Sequence, residues 1–152
     1  MPLVSLTDLP AKGALLGLDP GSKTIGVAGC DPTRLIASPI ETIVRSKKLA
    51  PALDQLFALY DYRKCAGIIV GLPINMDGTE GPRAQSARSL ARNIIERRDI
   101  PLAFWDERLS TAGAERALLE ADASRARRAE LIDKLAAAWI LQGAIDRLHE
   151  AR

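Results

Sequence analysis

The chain has 152 residues, 47% of them hydrophobic and 26% charged, with a net charge of only +2. That composition suits one ordinary folded domain with a buried core, excludes wholesale disorder, and offers no bulk charge from which to read a partner. Two cysteines and a single histidine are too few for a disulfide framework or a zinc cluster, and no stretch approaches the roughly 20 apolar residues of a membrane span.

Met1 to Lys12 carries Pro2, Asp8 and Pro10 and no continuous apolar run, which is not the pattern of a signal peptide. It is expected as a flexible N-terminal extension of a cytoplasmic protein, in which Cys30 and Cys65 are buried, reduced thiols. Two short apolar runs follow, ALLGLD over 14–19 and TIGVAGC over 24–30, joined by Pro20-Gly21-Ser22-Lys23. A proline followed by glycine is the pair wanted at the centre of a type II turn, so a β-hairpin is expected. A third strand over 35–44 is broken or edged by Pro39.

Leu49, Leu53, Leu56, Phe57 and Tyr60 recur at helical spacing over 47–60. Cys65 to Gly71 is a continuous apolar run, as in a strand covered on both faces. Residues 73–82 form a loop with turn signals at Asp77-Gly78 and Glu80-Gly81. A helix over 82–98 places Ala84, Ala87, Leu90, Ala91, Ile94 and Ile95 on one stripe, and its arginines 83, 88, 92, 97 and 98 read as a solvated face. Residues 101–107 give another strand. Ser110 and Thr111 can cap a helix reaching Glu120, residues 121–128 read as a polar break, and a last helix over 129–149 turns Leu131, Ile132, Leu135, Trp139, Ile140 and Ile145 inward. The order β-β-β-α-β-α-β-α implies an α/β fold with a single mixed sheet, an antiparallel meander first and helices on its faces after.

Three carboxylates stand out. Asp19 closes an apolar strand, and alternation puts it on the face of Leu15 and Gly17; taken alone, an aspartate there would simply hold the turn. Asp106 and Glu107 end a later strand, at the edge where open α/β sheets place ligands. Alternation sets Glu107 with Ala103 and Trp105 and leaves Asp106 on the other face. Asp133 precedes Ala136, Ala137 and Ala138, a thin helical stretch able to approach a sheet closely. Three acids from separate elements suit hard, oxygen-seeking ions such as Mg²⁺ or Mn²⁺. Two such ions can activate water and stabilise the leaving oxygen of a phosphodiester, with no histidine or cysteine nucleophile.

Three blocks carry a resemblance: Gly17 to Ala28 (GLDPGSKTIGVA), Val70 to Gly78 (VGLPINMDG), and Asp106 to Thr111 (DERLST) together with Ile132 to Ala137 (IDKLAA). In this order, and spanning nearly the whole chain, they resemble the YqgF family, also called RuvX or Holliday-junction-resolvase-like, a bacterial branch of the RNase H-like superfamily. The resemblance implies one RNase H-like nuclease domain over 1–152, with a mixed five-stranded sheet and helices on both faces. It assigns the catalytic and metal-binding positions to Asp19, Glu107 and Asp133, with divalent Mg²⁺ or Mn²⁺. It implies phosphodiester hydrolysis in 5′-end maturation of precursor 16S ribosomal RNA, with structured RNA and pre-ribosomal particles as partners and branched DNA as an alternative substrate.

Lys23, Asn75, Arg108, Arg125, Arg127 and Arg128 are the expected nucleic-acid contacts. The bland reading of Lys23 and Arg108 is two exposed cations, and that of Asn75 is turn chemistry. Two rivals stay open: a nucleotide-binding ATPase or sugar-kinase-like module, which needs two such domains, and a non-catalytic ribosome-assembly protein.

Overall fold

Ala14–Pro20 forms the first strand, β1, and all seven of its residues are buried. Burial on both faces requires a central position, and the sheet order is β3-β2-β1-β4-β5. The other strands are β2 (Thr24–Gly29), β3 (Ser38–Val44), β4 (Cys65–Leu72) and β5 (Leu102–Asp106). β1 pairs antiparallel with β2, and β2 with β3, whereas β1 with β4 and β4 with β5 are parallel. The helices are α1 (Ala50–Tyr62), α2 (Pro82–Arg97) and α3 (Arg125–Glu150). This computed structural model describes residues 3–21, 23–107 and 125–150, with the side chains of α3 described from Leu135 onward.

Period-2 alternation divides the core in two. Leu16 and Leu18 of β1, with Ile68 and Val70 of β4, pack under α1 and α2. Leu15, Ile69, Ala103 and Trp105 point the other way, under Ala137, Ile140, Leu141, Ala144 and Ile145 of α3. Helices therefore cover both faces, as expected. α3 comes very close to the sheet because both surfaces are small there. A Cβ on Gly17 would stand 2.6 Å from the Leu141 Cβ and 3.1 Å from the Ala137 carbonyl, and one on Gly71 would collide with Ile140.

Several expectations need correction. Gly21 is not in the left-handed region, which among the described glycines holds only Gly13 and Gly78, so Pro20-Gly21 is not the centre of a type II turn. Pro20 instead stays in β1 opposite Ile25, and the Gly21 N–H donates to the Thr24 carbonyl at 2.8 Å. Glycine is needed for proximity, since a Cβ would lie 2.9 Å from that carbonyl oxygen. The third strand starts at Ser38 rather than 35, and Pro39 lies beside a register shift on an edge strand, where its missing N–H costs little.

The stretch expected as a flexible extension makes defined contacts. Leu3 bridges to Leu102, the Val4 N–H donates to the Leu102 carbonyl at 2.9 Å, and Leu9 is buried with the α3-side core. The last helix begins at Arg125 and so includes Arg125, Arg127 and Arg128, placed by the sequence reading in a break. Trp139 is half-buried rather than core, because the inward stripe runs through Ala137, Ile140, Leu141, Ala144 and Leu148 and position 139 lies about 200° around the helix from 137. The helix expected over 110–120 lies outside the described residues.

Candidate active site

Asp19 is the next-to-last residue of β1, opposite Gly26 of β2. It is only 6% exposed, and it and Arg34 are the two buried charged residues among those described. A buried carboxylate is expensive unless something offsets it. Arg83, in the first turn of α2, brings its Nη2 to 3.9 Å from Asp19 Oδ1, near enough for attraction and too far for a hydrogen bond.

β1, β4 and β5 run parallel, so their C-terminal ends share one edge of the sheet. Glu107 follows β5 directly, and its Oε2 is sealed from solvent. Ala103 and Trp105 face α3, and within β1 alternation extends the face of Leu15 and Gly17 to Asp19; Glu107 lies just past the end of β5, where a 3-10 turn begins. Asp106 pairs in register with Leu72 and alternates with Phe104, which packs on the α1–α2 side.

The other expected residues fall in three groups. Lys23 is exposed in the β1–β2 turn. Asn75 is exposed too, but its Nδ2 donates to Thr79 Oγ1 at 3.0 Å and its backbone N–H to the Thr79 carbonyl at 2.9 Å, so its polar groups shape the turn around Gly78. Arg125, Arg127 and Arg128 lie on the first two turns of α3 and Asp133 on the next, with backbone but not side chains described. Arg108 lies outside the described residues. Among the described side chains no cluster of three or more metal-ligating residues occurs, and Asp133, the expected third acid, is not among them.

Other nucleophiles are remote. Cys65 opens β4, opposite Ala14 at the far end of β1. Burial pushes its thiol from an ordinary 9.0 up to about 11, and burial also raises Cys30. His149 is tied through Nε2 to the Arg34 carbonyl at 2.6 Å, at the C-terminal end of α3. Trp105 is 5% exposed and packed against Gly143, which makes it a core residue rather than a stacking platform.

Sequence reasoning missed Arg83 by grouping it with a solvated arginine face. That face is in fact largely committed to acids on other elements: Arg88 to Glu80, Arg97 to Asp54 and Arg98 to Asp61. The signal for Arg83 was its place directly after Gly81-Pro82, where the chain leaving β4 turns into α2 beside the end of β1.

Five strands in this order, helices on both faces and a buried acid, Asp19, at the C-terminal edge of the parallel strands define the RNase H-like fold class. Solved RuvC structures from Thermus thermophilus share that fold. One, in complex with a Holliday junction substrate, matches 90% of this chain and 96% of its own with a TM-score of 0.51 at 13% identity; another matches the same shares at 0.50 and 16%. The chain belongs to the RuvX family, described as Holliday junction resolvase, which it matches over residues 13–147. A relative from Phenylobacterium zucineum, named "Putative pre-16S rRNA nuclease", is 54% identical across 97% of this chain and 98% of its own. One of the same name from Rhodobacter capsulatus is 59% identical across 92% and 87%.

Proposed function

We propose that this nuclease hydrolyses phosphodiester bonds in structured nucleic acid at an acidic centre of Asp19, Glu107 and Asp133, and that its role is 5′-end maturation of precursor 16S ribosomal RNA. The observation that carries the site is the burial of Asp19 at the C-terminal end of the central strand, on the α3 side of the sheet.

The register of α3 supports the third acid. Leu141 lies over Gly17, while Gln142 and His149 reach Leu35 and Arg34, beyond the start of β1. The helix therefore runs against β1, and its N-terminal half extends towards Asp19. Asp133 is one turn before Ala137, roughly 6 Å along the axis, and Asp19 is roughly 7 Å along β1 from Gly17. Seven residues fall within about 20° of two full turns, which puts position 133 on the stripe of Ile140, the residue packed on Gly71.

The donor chemistry fits a divalent ion such as Mg²⁺ or Mn²⁺: carboxylate oxygens, one nearly inaccessible and one sealed from solvent. Asp19, Glu107 and Asp133 would hold it. When bound, such ions supply an activated water and charge stabilisation for the leaving oxygen. The chain's own contribution is positional. Asp19 lies at the end of β1 and Glu107 directly after β5, α3 would set the distance to Asp133, and the packed face of Leu15, Gly17 and Trp105 would keep bulk water from behind the acids. Lys23, Asn75, Arg108, Arg125, Arg127 and Arg128 would neutralise or bind substrate phosphates.

The family's description as Holliday junction resolvase favours a second reading, cleavage of branched DNA. Precursor 16S RNA and a four-way DNA junction, incubated side by side with Mg²⁺ or Mn²⁺, separate the two. The expected result is metal-dependent cutting of the RNA near its 5′ end. Cutting of the junction alone would reverse the assignment, and binding of both without cleavage would remove the catalytic reading.

A further inference from the structure

We propose that Arg83 is a substrate-binding residue that grips a phosphate adjoining the one cut, in the small cleft between the β1–β2 turn and the start of α2. The proposal rests on the nuclease reading above and adds to it a contact on the opposite side of Asp19 from α3.

The cleft has a volume of about 150 Å³ and is walled by Pro20, Gly21 and Pro82, with Arg83 and Ser86 as its polar side chains. Arg83 and Ser86 are three residues apart on α2, hence neighbours on one helix face. The walls are strand end, turn and helix start, so the cleft is set by backbone rather than by mobile side chains.

Arg83 differs from the other paired arginines of its helix and of the helix's C-terminal cap. Arg88 is held by Glu80 through two bonds of 2.6 and 2.8 Å, Arg98 by Asp61 through two of 2.9 Å, and Arg97 by Asp54 at 2.9 Å. Those guanidiniums are spent on holding elements together. Arg83 makes no hydrogen bond among the described residues; its one ion pair is the 3.9 Å approach to Asp19, and its side chain is 57% exposed. The buried carboxylate holds the guanidinium over the cleft electrostatically and leaves its donor fork unspent.

A planar fork of donors beside a small cleft, within 4 Å of an acid that handles phosphodiesters, matches the geometry of a phosphate oxyanion. Two features reinforce it. The Ser86 hydroxyl can donate to the same group. Gly81 gives α2 no side-chain cap, so the N–H groups of its first turn face the same end of the helix, where anions are favoured. The cleft is lined by Pro20, the residue next to Asp19, so a strand with its scissile phosphate at Asp19 would pass it with an adjoining phosphate.

The test measures binding without cleavage, in metal-free buffer with chelator, so that it does not depend on turnover. The probe is the RNA or four-way junction that the wild-type protein binds, titrated at several salt concentrations. Loss of one phosphate contact lowers the salt slope by about 1. Arg83→Gln is expected to bind several-fold more weakly with that reduction in slope, while Arg92→Gln, an exposed arginine of the same helix outside the cleft, retains the wild-type slope. Ser86→Ala is expected to weaken binding without changing the slope. Mn²⁺ binding by the free Arg83→Gln protein should be no weaker than wild type.

An unchanged slope in a folded Arg83→Gln protein overturns the proposal, and so does an equal reduction in Arg92→Gln, which would mark a diffuse charge effect. Lost Mn²⁺ binding in Arg83→Gln also overturns it, because Arg83 would then be organising the acids. Failure of the nuclease reading appears elsewhere, as wild-type protein that binds but never cuts.

Discussion

Asp19 is the residue on which a structural and a catalytic role are most easily confused. It sits at a strand end where an aspartate often serves the turn, but the closing hydrogen bond here runs between the backbones of Gly21 and Thr24. That closing bond uses backbone atoms and not the carboxylate. Asp19→Asn should therefore fold and melt close to wild type, with any deficit small because Arg83, its 3.9 Å partner, is more than half exposed. Cleavage should fall by at least about 100-fold, the scale of removing one electrostatic element from a preorganised site. Circular-dichroism melting and single-turnover cleavage measure the two; wild-type cutting by a folded variant would remove Asp19 from the mechanism. The thiols give a prediction of a different kind. Cys65 is neutral in the folded protein up to about pH 11, against 9.0 when unfolded. A raised folded pKa gives stability that is complete below pH 9 and is lost as pH rises through about 11. Denaturant midpoints from pH 8 to 11 should fall above 9, Cys65→Ser should flatten that fall, and iodoacetamide at pH 8 should label unfolded protein far faster than folded.

Elements were more legible than the joints between them. Alternation at Leu15 and Gly17 gave the correct face because β1 keeps its register from Leu15 onward. The run from Cys65 to Gly71 read as doubly covered because β4 is. The Pro20-Gly21 turn misled because sequence cannot distinguish a glycine chosen for positive φ from one chosen for close approach. Trp139 misled because apolar spacing does not fix a helix's rotation, and the face that meets the sheet runs through Ala137, Ile140, Leu141 and Ala144. Arg83 was hidden because its partner, Asp19, lies on another element. The glycine–alanine contact of α3 on β1 is the joint that the site depends on most. Gly17→Ala would put a Cβ 2.6 Å from the Leu141 Cβ and 3.1 Å from a helix carbonyl, so α3 must shift. Overpacking of this kind costs about 1–3 kcal/mol, or about 2–4 °C in Tm per kcal/mol. On the proposed site the same shift would move Asp133 from Asp19, so cleavage should drop more than stability explains. Equal melting and equal cleavage would show that the helix does not set the acid spacing.

At the scale of the whole molecule, a net charge of +2 cannot by itself draw the protein to nucleic acid; affinity must come from where the cations are placed. Three arginines, 125, 127 and 128, open α3, and the first turn of that helix holds no acid. That placement opposes the helix dipole, whose N-terminal end favours anions, at a cost of a few tenths of a kcal/mol or more per exposed charge. An arrangement unfavourable for the free helix is compensated when a phosphate binds there, since dipole and guanidiniums then attract the same group. Asp133 lies further along the same helix, so on the proposed site a strand held at these arginines would be led towards the acids. Arg125, Arg127 and Arg128 changed together to alanine should therefore bind nucleic acid much more weakly, with the slope of log affinity against log salt lowered by about 2–3 if each arginine meets one phosphate. Cleavage at saturating substrate should be nearly unchanged, so the loss falls on KM rather than kcat. Thermal stability should hold or rise slightly, as three cations leave a helix N-terminus. An unchanged salt slope would take this end of α3 out of the substrate path, and a loss confined to kcat would place the arginines at the reacting phosphate instead.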